Sequence, residues 1–193
     1  MVFFIGLTGT FGSGKGSFSE ILCRKTSCAF YSLSDEVRKE CERQGKSFQR
    51  DSLRAVANET RRREGVGVFA KRVLQKALKD EGKQVVIVDS VRTPGEVEAL
   101  RNALGKRFVL VAVDAPLDVR YERVKERARA QEQLLSLEQF KESENVEMHS
   151  KDPFGQDLSK VMQSADYTVE NTGSTKELEE KAGCLLKKFL RAV

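Results

Sequence analysis

The stretch Gly9-Thr10-Phe11-Gly12-Ser13-Gly14-Lys15-Gly16-Ser17 constrains the fold more than any other. It follows the apolar run 2–7 and precedes a helix-compatible segment, 18–24. A buried strand that runs into a glycine-rich turn and then opens a helix converges backbone N–H groups on one concavity. The helix N-terminus adds partial positive charge to it. That is the geometry of a phosphate-binding loop, or P-loop. Lys15 stands where a lysine reaches the β- and γ-phosphates of a nucleoside triphosphate. Gly16 follows where the general motif carries a Ser or Thr as magnesium ligand, and Ser17 comes one residue late.

Strands and helices alternate after the loop. Ala29-Phe30-Tyr31-Ser32-Leu33 reads as a second short strand, with Ser34 capping a helix that starts near Asp35. Asp35 then sits at a strand's C-terminal end, where open α/β sheets place their ligands. Two readings stay open: a general base or orienter for an acceptor hydroxyl or a metal's water shell, and a first-turn acid favoured by the helix dipole. Residues 50–64 form an arginine-rich helix around a thin stripe of Leu53, Val56 and Ala57, either a solvated face or a flap over an anionic acceptor. Phe69, Val73, Ala77 and Leu78 mark an amphipathic helix ending near Glu81-Gly82.

Val85-Val86-Ile87-Val88 is the β-branched run of a strand buried on both faces, and Asp89 ends it. An acid there can hold magnesium directly or through water. Arg92 follows at the rim of the sheet, placed to grip a phosphate bidentately, and Thr93-Pro94-Gly95-Glu96 spells a capping box. Residues 108–113 read as a fourth strand, with a helix from about Leu117 on which Arg120, Arg123 and Arg127 recur at helical spacing. Arg123 and Arg127 repel each other at i,i+4 unless an anion lies between them; Glu122 and Glu126 offer ordinary surface pairs instead. Residues 130–153 are polar, look like a lid, and contain a capping box at Ser136-Leu137-Glu138-Gln139. His149 reads as an exposed loop residue. The last strand, Tyr167-Thr168-Val169, leads to Asn171-Thr172-Gly173-Ser174, a turn that either cradles a base or simply connects to the closing helix.

The pattern implies one domain over 1–193: a three-layer α/β/α P-loop NTPase fold with a five-stranded, mostly parallel sheet and a helical lid. A formal charge of +5, from 34 basic and 29 acidic residues, suits phosphate binding without requiring a nucleic-acid partner. The four cysteines (Cys23, Cys28, Cys41, Cys184) show no metal-ligand spacing, and the apolar start lacks a basic leader. A reduced, cytoplasmic setting is expected. No apolar run approaches the ~20 residues of a membrane span. Oligomeric state leaves no mark in these spacings.

These motifs carry a family resemblance. The chain resembles P-loop nucleotide kinases of the nucleoside monophosphate kinase and dephospho-CoA kinase-like group over nearly its full length. Gly12-Ser13-Gly14-Lys15-Gly16 looks like the monophosphate-kinase form of the loop. Asp89-Ser90-Val91-Arg92 is similar to an Asp-Gly-x-x-Arg element whose arginine binds the acceptor's phosphate. Arg123-Val124-Lys125-Glu126-Arg127 resembles the Arg-x-x-x-Arg of a lid helix. Ser34-Asp35-Glu36-Val37-Arg38 and the turn at Asn171 look more like the dephospho-CoA kinase side, although Ser143 stands where that branch would carry an arginine.

The resemblance implies in-line phosphoryl transfer from MgATP to a small nucleotide-like acceptor. Gly9, Thr10, Phe11, Gly12, Ser13, Gly14, Lys15, Gly16 and Ser17 would bind the phosphates of ATP, and Asn171, Thr172 and Gly173 its adenine. Asp89 would anchor Mg2+ through water, and Lys15, Arg123 and Arg127 would neutralise the moving phosphoryl group. Arg92, with Arg38 or Arg54, would hold the acceptor. Asp35 would orient or deprotonate an acceptor hydroxyl. The acceptor helices would span about 36–67 and the lid about 120–153. The competing class is an ATP-binding or slow ATPase module that regulates a protein or RNA partner.

Overall fold

Continuous β-branched runs, without polar alternation, specify strands covered on both faces. The computed structural model describes residues 2–79, 82–131 and 136–190, the side chains of 127–131 excepted. Within them β1 (Phe3–Thr8), β2 (Cys28–Ser32), β3 (Val85–Asp89), β4 (Phe108–Asp114) and β5 (Tyr167–Glu170) form one sheet in the order β2-β3-β1-β4-β5. Every neighbouring pair is parallel, so the expected mostly parallel sheet is fully parallel.

The helices follow from the strands' two faces. Successive strand residues point to opposite sides. Phe4, Val86, Val88 and Leu110 pack on Phe69 and Val73 of α4 (Val68–Ala77) and on Val97 and Leu100 of α5 (Pro94–Leu104). Ile5, Leu7, Ile87 and Val111 pack on Phe18, Ile21 and Leu22 of α1 (Lys15–Lys25) and on Leu178, Ala182, Leu185 and Leu186 of α9 (Thr175–Leu190). Burying each such side chain contributes about 1.5–3 kcal/mol. The result is a three-layer α/β/α fold with β1 at the centre of the sheet, which places the P-loop midway along its C-terminal edge.

Of the remaining helices, α2 (Leu33–Arg43), α3 (Arg50–Glu64), α6 (Leu117–Gln131) and α7 (Leu137–Met148) gather over that edge, and the short α8 (Leu158–Gln163) packs beside α5 with Val161 in the core. Both spelled capping boxes, at Thr93 and Ser136, are formed.

Three local expectations need correction. Helix α2 starts at Leu33, directly after β2, so Ser34 lies inside the first turn and caps nothing; burying Leu33 in the core sets this start. Helix α4 ends at Ala77, short of the expected Glu81-Gly82, and residues 80 and 81 lie outside the described ones. Cys23 and Cys28 are joined in a disulfide, against the expectation of reduced thiols, because the last turn of α1 returns directly into β2 and brings their Cα atoms to 5.2 Å. Cys41 is free and buried, Cys184 free and exposed, and His149 is exposed as read. Among the described residues no helix is long and apolar enough to cross a membrane.

Candidate functional site

The P-loop is held by contacts that leave no room for side chains at three of its glycines, Gly9, Gly12 and Gly14. Gly9 has φ +138°, and a Cβ there would lie 2.0 Å from the carbonyl oxygen of Val113 in β4. Gly14, at φ +91°, would bring a Cβ within 2.2 Å of the Asn171 amide nitrogen. Only glycine satisfies both demands. Thr10 donates from Oγ1 to Asp114 Oδ1 at 2.6 Å, pinning the loop to the end of β4. Gly16 and Ser17 are exposed at the start of α1, with nothing within 4 Å of a Cβ at Gly16.

Lys15 folds back over this loop, and its Nζ donates to the carbonyls of Gly9 (2.7 Å) and Thr10 (2.9 Å). Burial, and secondarily the Arg92 guanidinium, push its pKa down to about 8, against the opposing pull of Asp89, Glu147 and Asp114. Asp89 ends β3 beside the loop. Its Oδ2 accepts from Ser90 Oγ at 2.7 Å, whereas its Oδ1 is buried without a hydrogen-bond partner among the described residues, as is Ser13 Oγ. An unpartnered buried carboxylate oxygen fits the water shell of magnesium, which commonly takes one or two carboxylates together with substrate phosphates. Among the described residues no cluster of three His, Cys, Asp or Glu could cage a metal alone.

A cavity of about 380 Å³ opens from the loop toward α2 and α3. Phe11 and Lys15 of the loop line it together with Arg38, Arg50, Arg54, Arg61 and Arg92 and the apolar side chains of Leu33, Val37, Leu53 and Ala57. Three of the sequence candidates, Arg38, Arg54 and Arg92, are thus brought together with Lys15. Asp35 is not. With Leu33 and Glu36 turned inward, Asp35 falls on the outer face of α2, exposed, and pairs with Arg38 at 2.9 Å.

The lid segment closes the cavity with one face of α7. Phe140, Ser143, Glu144 and Glu147 recur at i, i+3, i+4 and i+7. Phe140 packs on Phe11 and Tyr121, with ring centroids at 5.8 and 5.6 Å. Ser143 Oγ accepts from Arg50 and Arg54, Glu144 accepts from buried Arg120 at 2.9 Å, and Glu147 accepts from Arg92 at 3.4 Å. Glu96, known from the sequence only as a capping residue, also forms a buried ion pair with Arg61 at 3.0 Å.

Glu147 is therefore a site residue that the motifs do not single out, and Glu96 is marked by them only as a cap; Arg50 and Arg61 belong to the arginine-rich stretch 50–64, one reading of which is a flap over an anionic acceptor, and Arg120 to the arginine-bearing helix from Leu117. The heptad-like spacing along 140–147 carried the signal, but in polar letters.

A second cavity, of about 400 Å³, lies beyond Gly14 and Ser17 and is lined by Arg123, Glu126, Asn171, Gly173, Thr175 and Leu178. Arg123 Nη2 donates to the Asn171 carbonyl at 2.9 Å, and its Nη1 is buried without a partner among the described residues. Asn171 is turned into the protein, where its amide donates to the Ser13 carbonyl at 2.8 Å. Thr172 is exposed and not among the lining residues. The side chain of Arg127 lies outside the described residues.

Known proteins share this architecture. The AAA domain family matches residues 5–152. A UPF0200/UPF0201 protein of Archaeoglobus fulgidus is 39% identical over 184 residues, which cover 94% of this chain and 54% of the relative; the chain spans about half of that protein's length. A UPF0200 protein of Hyperthermus butylicus is 34% identical over 183 residues, covering 95% of this chain and 92% of the relative. Among solved structures, TT1252 from Thermus thermophilus has a TM-score of 0.63 at 20% identity, covering 97% of both chains. A gluconokinase from Sinorhizobium meliloti has 0.58 at 13%, covering 96% of this chain and 92% of that one. The shikimate kinase of Aquifex aeolicus has 0.51 at 22%, covering 96% of both. At these identities the structures share the fold, which is that of a kinase-like P-loop NTPase.

Proposed function

The chain belongs to the UPF0200 family and carries an AAA domain, and from this premise we propose that it transfers the γ-phosphoryl group of ATP to a small nucleotide-like acceptor, a nucleoside monophosphate or dephospho-CoA. One observation carries the reading: the P-loop lysine and five arginines face the same cavity. A loop that only bound or slowly hydrolysed ATP has no need of a second anion site opposite its lysine.

The chemistry follows from the positions. Lys15 leaves the carbonyls of Gly9 and Thr10 and turns its ammonium to the β- and γ-phosphates, beside the amides of residues 9–17. Arg123, with an Nη1 that has no other partner among the described residues, meets charge on the moving phosphoryl group, and Arg127 stands one turn further along α6. Asp89 Oδ1 would hold Mg2+ through its water shell, and the ion, when bound, would supply positive charge to offset that of the phosphates. Arg38, Arg54 and Arg92 line the cavity that receives the acceptor. A phosphate acceptor arrives already ionised and needs no base, which agrees with Asp35 on the outer face of α2; a hydroxyl acceptor needs a carboxylate inside the cavity. The adenine lies in the second cavity, against Gly173, with Asn171 supporting the loop from behind.

The test is ADP release from MgATP across ribo- and deoxynucleoside monophosphates and dephospho-CoA. One acceptor should stimulate turnover strongly, and Lys15→Ala should reduce it by about a hundredfold or more. ATP binding without acceptor-stimulated turnover would refute phosphoryl transfer and favour a module that regulates a protein or RNA partner.

A further inference from the structure

The five arginines of the cavity between the loop and α3 are not equivalent, because four already have a carboxylate. Arg38 pairs with Asp35 at 2.9 Å, Arg54 with Asp51 at 3.3 Å, Arg61 with buried Glu96 at 3.0 Å, and Arg92 with Glu147 at 3.4 Å. Glu147 also lies 3.9 Å from Arg54. Arg50 has no carboxylate within ion-pair distance among the described residues. Its guanidinium lies 4.4 Å from the centre of the Phe11 ring and donates to a neutral group, Ser143 Oγ.

We propose that Arg50 is the seat of the acceptor's anionic group, and that Glu147 directs the anion there by neutralising Arg54 and Arg92. The proposal deepens the phosphoryl-transfer reading and rests on it for what the anion is attached to. The argument is one of exchange. An anion that binds Arg92 competes with the Glu147 carboxylate for it, whereas one that binds Arg50 competes only with a serine hydroxyl. Stacking on Phe11 fixes the plane of the guanidinium, and with Nη1 on Ser143 its Nε and Nη2 have no hydrogen-bond partner among the described residues and offer a bidentate contact, the geometry that suits a phosphate monoester. Because Phe11 belongs to the P-loop, an acceptor seated on Arg50 is positioned relative to the loop itself. Glu147 remains in the cavity as a hydrogen-bond acceptor for a hydroxyl or amino group of the same molecule.

Titration of inorganic phosphate into the full chain, followed by the Nε–Hε NMR signals of the arginines, reads each side chain separately and so separates this seat from phosphate bound at the loop. Arg50 should shift saturably while Arg92 responds little. Arg50→Met should weaken phosphate binding outside the loop at least tenfold, and Arg50→Lys, which keeps the charge, only a few-fold. In Glu147→Gln, Arg92 should begin to respond as strongly as Arg50. A dominant response of Arg92 in the unaltered protein, or Arg50→Met binding within twofold of it, would overturn the proposal. None of these readings needs turnover. An intact Arg50 response without acceptor-stimulated ADP release refutes the kinase reading and keeps the anion seat, and the opposite pair of results does the reverse.

Discussion

Asn171 donates from its amide nitrogen to the carbonyl oxygen of Ser13 at 2.8 Å, a bond that joins the end of the last strand to the middle of the P-loop across 158 residues. The same amide would be 2.2 Å from a Cβ at residue 14, so Gly14 and the asparagine define each other's space. Asn171→Ala leaves the buried Ser13 carbonyl without a partner and should destabilise the protein by about 1–3 kcal/mol in denaturant unfolding. Nucleotide affinity should fall with it, because the loop amides lose their fixed geometry. Gly14→Ala should abolish binding outright, since it adds both the close contact and a strained φ. Unchanged affinity in Asn171→Ala would show that the loop is held without it.

The depressed pKa of Lys15, about 8 against an ordinary 10.5, makes nucleotide binding depend on pH. Burial is the main cause, and an arriving phosphate opposes it by favouring the charged form. The free protein therefore loses the ammonium above pH 8 while the complex keeps it, so affinity should fall by up to about tenfold per pH unit above 8. The ligand-free fold should show the opposite slope. Between about 8 and 10.5 the unfolded chain binds the proton that the folded chain has released, and stability rises with pH across that window. Calorimetric titration of ADP from pH 7 to 10, with Lys15→Met as reference, measures the first effect; a flat profile would contradict it.

Much of this architecture was legible because it depends on short-range pattern. The β-branched run 85–88, the glycine spacing of 9–16 and the Thr93 capping box each contain their whole physical reason within a few residues, and each forms as written. The same holds for α3, whose boundaries match the polar stretch 50–64. What was not legible depends on which face of a helix turns inward. Asp35 reads from the sequence either as a site acid or as a first-turn acid favoured by the helix dipole; with α2 starting at Leu33 it lies in the first turn on the exposed face, as the second reading has it. Glu147 and Arg50 lie 97 residues apart in number yet meet at one cavity, and nothing local to either says so. The Cys23–Cys28 bond is illegible for a similar reason, since the pairing depends on how sharply α1 returns into β2 and not on the spacing of the cysteines.

Acid stability should rest disproportionately on one carboxylate. Glu40 in α2 is buried and accepts from Arg43 and Gln44 of its own helix region and from Arg72 of α4 at 3.1 Å. The Arg43 hydrogen bond, together with those from Gln44 and Arg72, lowers its pKa from 4.5 to about 2 despite burial. A depressed carboxylate contributes its full stabilisation above the unfolded value and loses it as pH falls from 4.5 toward 2. Glu40→Gln should therefore lower the Tm at pH 7, and the gap to the unaltered protein should narrow steadily below pH 4.5. A gap that persists unchanged at pH 2.5 would mean that packing, and not charge, is what Glu40 supplies.

Gly16 offers a gain-of-function test of the metal reading. It is the one loop glycine that neither strain nor space requires: its φ is not in the left-handed region, and a Cβ there meets nothing within 4 Å. The general P-loop motif carries a hydroxyl at this position as a magnesium ligand. Gly16→Ser should therefore fold with stability unchanged or raised by a few tenths of a kcal/mol, as serine is the better helix former. In the presence of magnesium its affinity for ATP should rise several-fold, while affinity measured in EDTA stays within twofold. That magnesium-specific difference is the decisive quantity, because a general effect on the loop would change both conditions alike. If the two affinities move together, the metal does not sit beside residue 16, and the role assigned to Asp89 Oδ1 loses its geometric support.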